Sequence, residues 1–242
     1  MNSDICKKYC YRVTRDRRAS IRNKIKKLEF VVFDMDGVLI DIDSSWKYVH
    51  DFFNTSNEKS VEAYLRGRID DLEFIRRDVS LWSVDGKPLK KEKLVEILSD
   101  VPFMNGIYEI VDFLRNHKIR TGIVSAGLDV LANRVARDLG IDFVYANGVK
   151  TDDDGFLTGE GVVGVRLMYK DDTVKRLSYE TGIPLCNIAV VGNSCFDIPM
   201  FEVAGLGIAF NPEDDCVRRA ADFVINEKNL TKILPIFRKY IL

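Results

Sequence analysis

From residue 105 to the C-terminus, short β-branched runs alternate with stretches of helical periodicity, and that alternation admits few folds. A strand followed by a helix returns the chain beside the strand it left, so repetition of the unit builds a parallel sheet with helices on its faces. Ile107, Ile110, Val111 and Leu114 keep the spacing of a helix, residues 119–124 follow as a strand, and Leu128, Leu131, Val135 and Leu139 mark the next helix. Residues 170–181 read as a helix closed by Gly182 with Pro184 just beyond, and residues 187–191 as a buried strand ending at Gly192. Residues 206–210 and 222–225 are further strands, each with a helical segment after it. The fold class is α/β, a Rossmann-like doubly wound parallel sheet.

An earlier strand, residues 28–33, ends in Asp34-Met35-Asp36-Gly37. Its apolar run reads as buried on both faces, so its carboxyl end opens into the crevice where such sheets bind ligands. Gly37 lets the chain turn at once, so both carboxylates can face one pocket while Met35 points into the core. Two carboxylates that close repel, and a shared proton or a bound cation relieves them.

Two segments break the rhythm. Residues 43–104 are helical in pattern and form an all-α insertion able to cover the pocket, and residues 142–165 surround Asp152-Asp153-Asp154-Gly155 as a β-hairpin flap. The domain boundaries follow: a core of residues 28–42 and 105–242, a cap of residues 43–104, and an extension of residues 1–27. Gly159, Gly161 and Gly164 match the spacing of a dinucleotide fingerprint, but their β-rich surroundings open no helix, which argues against nucleotide binding there.

The composition excludes several classes. No stretch approaches the roughly 20 apolar residues of a membrane span, and no apolar leader opens the chain. Five cysteines, Cys6, Cys10, Cys186, Cys195 and Cys216, lack paired metal spacing and suit reduced thiols, so a cytoplasmic location is expected. Residues 1–27 carry ten Lys or Arg against two Asp, a net +8 that leaves −9 for the rest of a chain whose total is −1. That basic head leaves nucleic acid, an acidic partner or a membrane surface open beside a simple solvated extension, although only Tyr9 and Tyr11 offer stacking. No P-loop, serine elbow or His-Glu-x-x-His occurs, and His50 and His117 are the only histidines. Nothing in the sequence fixes an oligomeric state.

Three further signals stand at element ends. Ser125-Ala126-Gly127 closes a strand where a hydroxyl and free N–H groups would meet at a helix start, a cradle for phosphate. Lys170 opens a helix beside Asp171 and Asp172, a position unfavourable for a cation and so a sign of a task elsewhere. Asn193 and Asp197 lie four residues apart after a strand and suit oxygen ligation of Mg²⁺.

In this order the residues resemble the four motifs of the haloacid dehalogenase superfamily of aspartyl phosphatases, and by eye the phosphoserine phosphatase family within it. Residues 143–147, 154–159 and 197–201 are similar to stretches of that family, and the insertion looks like its C1-type cap. The resemblance implies hydrolysis of a small phosphorylated metabolite through an aspartyl-phosphate, with Asp34 as nucleophile and Asp36 as acid and base. It implies phosphate contacts from Ser125, Ala126, Gly127 and Lys170, and Mg²⁺ held by Asp34, the main-chain carbonyl of Asp36, Asn193 and Asp197. Three departures stand out: Asn193 and Phe196 occupy positions where the family has Asp and Asn, and Asp78 falls where its cap carries Arg. An Asp cannot grip a carboxylate. Asp43, Trp46, Arg76 and Arg77 are therefore the specificity candidates. The weakened fourth motif makes a catalytically weak, phosphate-binding regulatory protein the alternative.

Overall fold

The computed structural model describes residues 24–84 and 86–241. Most of the basic head, with Cys6, Tyr9, Cys10 and Tyr11, lies outside the described residues. Its last part joins the core: Ile25 is buried, and its N–H donates to the Gly205 carbonyl at 3.0 Å. The packed unit thus begins before residue 28.

A seven-stranded sheet runs in the order β6-β5-β4-β1-β7-β8-β9. β1 (Phe30–Phe33) is central, parallel to β4 (Arg120–Leu128) on one side and β7 (Ile188–Gly192) on the other. β8 (Leu206–Phe210) and β9 (Phe223–Ile225) extend the parallel order outward. Every residue of β1 is buried, because side chains alternate between two covered faces. Val31 and Phe33 enter one cluster with α5 (Ile107–Asn116) and α6 (Asp129–Leu139). Phe30 and Val32 enter the other with α7 (Lys170–Thr181) and α8 (Ile198–Val203).

Three expectations are corrected. β4 continues to Leu128, so residues 125–128 are strand and not helix start; a register shift after Val124 lets Leu128 pair with Asn147. The hairpin of residues 142–165 is only half a flap. β5 (Phe143–Thr151) begins as a parallel core strand beside β4 and then pairs antiparallel with β6 (Leu157–Val162), which carries Gly159 and Gly161. The insertion is also not all helical. Its helices α1 (Ser45–Phe52), α2 (Glu58–Leu65), α3 (Asp71–Ser80) and α4 (Lys91–Ser99) are joined by a two-residue ladder, β2 (Ser83–Val84) with β3 (Lys87–Pro88). Strands that short leave no periodicity to read. Among the described residues no helix is long and apolar enough to cross a membrane.

Arg134 on α6 fastens the insertion where it returns. Its guanidinium donates to the carbonyls of Leu98 and Val101, each at 2.7 Å, and to that of Ser99. Charge-assisted bonds to backbone contribute roughly 1.5–3 kcal/mol. Arg134→Ala should lower unfolding stability by about that amount in a urea titration, and an unchanged midpoint would remove the strap.

Candidate active site

Asp34 continues β1 by donating its N–H to the Val191 carbonyl at 2.9 Å, so its carboxylate leaves the sheet between β4 and β7. Oδ1 accepts from Met35 N at 2.8 Å and lies 3.0 Å from Lys170 Nζ. Lys170, the first residue of α7, is 2 % exposed and reaches inward, with Nζ 2.7 Å from Asp197 Oδ1. The position that disfavours a cation at the helix start thus serves a buried ion triad. Asp197, 0 % exposed, uses Oδ2 to accept from Asn193 N, Ser194 N and Ser194 Oγ at 2.9, 3.0 and 3.3 Å, which fixes the turn after β7.

Gly37 brings the two turns together. Its φ is +72°, and a Cβ there would stand 2.1 Å from Asn193 Nδ2, so only glycine admits this approach. Asn193 Nδ2 in turn donates to Glu213 Oε1 at 3.2 Å. Met35 is fully buried in the core, as the turn requires.

Asp36 projects beside Asp34. Its Oδ2 accepts from Ser45 N at 2.9 Å and Ser45 Oγ at 3.0 Å, whereas Oδ1 is buried with no hydrogen bond. Ser45 Oγ also accepts from Leu128 N at 3.0 Å, and Gly127 N donates to Ser125 Oγ at 3.1 Å. These two N–H groups are therefore engaged and not free, a correction to the expected cradle. The reason is β4's extra length, which holds both residues in the strand ahead of the helix start at Asp129. Gly127 packs so closely that a Cβ would lie 2.9 Å from Asp36 Oδ2.

A cavity of about 630 Å³ joins this end to the cap. Asp34, Asp36, Ser125, Ala126, Gly127, Lys170 and Asn193 line it, together with Asp43 and Trp46; Asp197 lies behind Lys170 and is not on its wall. Trp46 Nε1 donates to the Ala126 carbonyl at 2.9 Å, and its ring stacks on Trp82 at 5.5 Å. Arg76 and Arg77 do not reach the cavity. Successive helical residues turn by about 100°, so the face that presents Asp71, Phe74, Ile75 and Asp78 sends both arginines outward. There Arg76 pairs with Glu73 at 2.8 Å and Glu160 at 3.1 Å, and Arg77 with Glu73 at 2.8 Å.

Sequence reasoning missed four lining or supporting residues. Ser45 stands nine positions after Asp36, and only the fold brings its N–H back. Asn147 donates to the Ala126 carbonyl at 3.2 Å and accepts from Gly164 N and Val165 N. His50 and Glu213 also border the cavity. A buried amide or histidine in an apolar run was the available signal, but it does not say which cavity the side chain joins.

Burial and crowding shape the charges. Asp34 is pushed up to about 7, by burial first and then by Asp197, with Lys170 opposing. Burial lifts Asp36 to about 6 against the Ser45 bonds, and lifts Glu213 to about 7 with Asp197 and Asp43 adding to it. Burial works to strip Lys170 of its proton, but Asp197 and Asp34 outweigh it and hold its pKa above the usual lysine value. The site carries more negative charge than Lys170 can balance. Asp34, the orphaned Asp36 Oδ1 and Asn193 present hard oxygen donors that suit a divalent cation. Asp197, expected as a ligand, is instead committed to Lys170 through Oδ1 and to the turn after β7 through Oδ2, and among the described residues no cluster of three metal-ligating side chains forms.

The chain matches the family model for haloacid dehalogenase-like hydrolases over residues 31–202. It is 32 % identical over 216 residues to a phosphoserine phosphatase of Idiomarina loihiensis, covering 86 % of this chain and 93 % of that one. A phosphoserine phosphatase of Methanocaldococcus jannaschii is 29 % identical over 216 residues, covering 88 % and 99 %. A solved phosphoserine phosphatase holding a phospho-aspartyl intermediate analogue superposes with a TM-score of 0.74 at 27 % identity, covering 87 % of this chain and 99 % of that one.

Carboxylates whose pKa is raised by folding bind protons more tightly in the folded state, so they stabilise below their unfolded value near 4 and lose that contribution as pH rises through the folded value. For Asp34, Asp36 and Glu213 that window runs from about pH 4 to about pH 7. Chelator-treated protein should therefore melt at a lower temperature at pH 7.5 than at pH 5.5, with the difference reduced in Glu213→Gln; scanning calorimetry reads both. Gly37→Ala should cost both stability and activity, and a variant as stable as the parent would refute the close approach.

Proposed function

As the chain belongs to the haloacid dehalogenase-like hydrolases, we propose that it is a Mg²⁺-dependent cytoplasmic phosphatase acting on a small phosphate monoester, with Asp34 as nucleophile. The observation that carries this reading is the Asp34–Lys170–Asp197 triad beside Asp36, at the strand ends that floor a cavity large enough for a metabolite.

Asp34 attacks phosphorus through the oxygen not taken by Lys170 and Met35 N, and the alcohol leaves as the Asp34 acyl-phosphate forms. Asp36 gives the departing oxygen its proton, then takes one from the water that cleaves the acyl-phosphate. A pKa near 6 suits a group that must do both near neutrality. Ser45 holds Asp36 in place through N–H and Oγ. Lys170 offers positive charge on the nucleophile's flank, and Ser125 supplies a hydroxyl to the phosphoryl oxygens. A Mg²⁺ held by Asp34, the Asp36 carbonyl and the Asn193 side chain would supply the charge that lets an anionic nucleophile approach an anionic phosphate and would keep Asp34 ionised. Residues of α1 and α3 roof the site.

The phosphoserine phosphatases to which the chain is similar act by the same chemistry in this reading, but their substrate does not transfer with it, because Asp78 stands where their cap arginine is expected. A binding-only role is favoured by one observation, the amide of Asn193 in place of a carboxylate. In that case Asn193→Asp would tighten Mg²⁺ binding in calorimetry without raising turnover.

With Mg²⁺, p-nitrophenyl phosphate should be hydrolysed, and chelation should abolish the rate until Mg²⁺ is restored. Asp34→Asn should lower kcat by about 10³-fold or more and Asp36→Asn by roughly 10²–10⁴-fold. A parent rate retained by Asp34→Asn would sink the assignment.

A further inference from the structure

The cap end of the cavity has the wrong charge for a carboxylate-bearing substrate. Eight carboxylates line the cavity as a whole, among them Asp43, Glu58, Asp71 and Asp78 from the insertion, against two lysines and no arginine. Both lysines are already paired, Lys170 within its triad and Lys47 with Asp51. Asp71 is also engaged, accepting from Tyr64 OH at 2.9 Å and Leu167 N at 3.0 Å.

Asp78 is the informative residue. It is 2 % exposed, lines the cavity, and accepts from Asn57 Nδ2 on Oδ2 at 2.8 Å, while Oδ1 is buried with no hydrogen bond. His50 Nε2 stands 3.5 Å from Oδ2 and is itself unbonded by hydrogen-bond geometry. Trp82 Nε1 donates to His50 Nδ1 at 3.2 Å, and an indole N–H can only donate, so the ring proton of neutral His50 sits on Nε2. That N–H faces the oxygen of Asp78 already bonded by Asn57, and Oδ1 of this cavity-lining residue is left without a donor. A buried acceptor without a donor is destabilising, the more so when it is charged. Trp46, stacked on Trp82, and Phe74 add aromatic walls, surfaces to which cations are drawn.

A carboxylate brought here would meet Asp78, Asp43 and Glu58 with no free cation among the described residues that line the cavity. A neutral hydroxyl would fill the Oδ1 vacancy but leave the excess negative charge. An ammonium group does both. Resting on the proposed phosphatase reading, we infer that the alcohol portion of the substrate carries an ammonium group and no carboxylate, as in a phosphorylated amino alcohol, with Asp78 as its specificity residue.

The test compares kcat/KM with Mg²⁺ for four esters: phosphoethanolamine, glycerol phosphate, O-phosphoserine and p-nitrophenyl phosphate. Phosphoethanolamine should exceed both glycerol phosphate and O-phosphoserine by about tenfold or more, the worth of one charge-assisted bond. Asp78→Asn should bring the ratio of phosphoethanolamine to glycerol phosphate toward one, through KM. If p-nitrophenyl phosphate is turned over but O-phosphoserine or glycerol phosphate equals phosphoethanolamine in the parent protein, the cationic substrate is refuted while the phosphatase stands. An amine preference that survives Asp78→Asn refutes Asp78 as its source. If no ester is hydrolysed, the phosphatase reading falls and the inference with it.

Discussion

Lys170 between Asp34 and Asp197 is the contact on which the rest of the site depends. It joins three separate pieces of chain: the end of β1, the start of α7 and the turn after β7. Each ion gives up solvation worth several kcal/mol on burial, and removing one partner of such a group costs about 3–5 kcal/mol because a bare charge remains. The triad is also deliberately unbalanced. One cation meets two anions, with Asp36 close by, so the arrangement holds a negative excess that a divalent cation can neutralise. Burial is the first cause of the raised values of Asp34, Asp36 and Glu213, and the charge of Asp197 adds to it.

Ser45 couples this floor to the roof. As the first residue of α1 it donates N–H and Oγ to Asp36, and the same Oγ accepts from Leu128 N at the end of β4. The insertion is therefore anchored on the Asp36 carboxylate itself. A second anchor comes from Trp46, whose indole N–H meets the Ala126 carbonyl earlier on β4. Movement of α1 would shift Asp36 and the Ser125-to-Gly127 segment together, which ties the shape of the cavity to the placement of Asp36.

What could be read from sequence was what depends on local pattern. The bounds of α7 and β8 coincide with the expected ones, because periodicity, Gly182 and the flanking turns are all nearby in the chain. Lys170 was legible as a cation in the wrong place on a helix. The failures share a different cause. β4 runs four residues further than its pattern suggests because its last pairing is to Asn147, and β5 is half core strand because its partner β4 lies twenty residues earlier. Arg76 and Arg77 have the right chemistry for a substrate carboxylate, but their direction is set by how α3 seats Ile75 and Asp78 inward. Side-chain type is local, whereas side-chain direction is decided by packing.

The same limit bears on how far family likeness reaches. The floor follows the family's motifs except at Phe196 and at Asn193, where a carboxylate has become an amide. That amide donates to Glu213, so a carboxylate still stands 3.2 Å away. At the roof the change runs the opposite way, since Asp78 puts an anion where an arginine is expected. Electrostatic work falls off with distance, so the two ends need not be tuned together. The floor must accept a phosphate and its cation whatever the substrate. The roof meets only the leaving group, and a reversal of charge there changes which alcohol is bound without altering the bond that breaks.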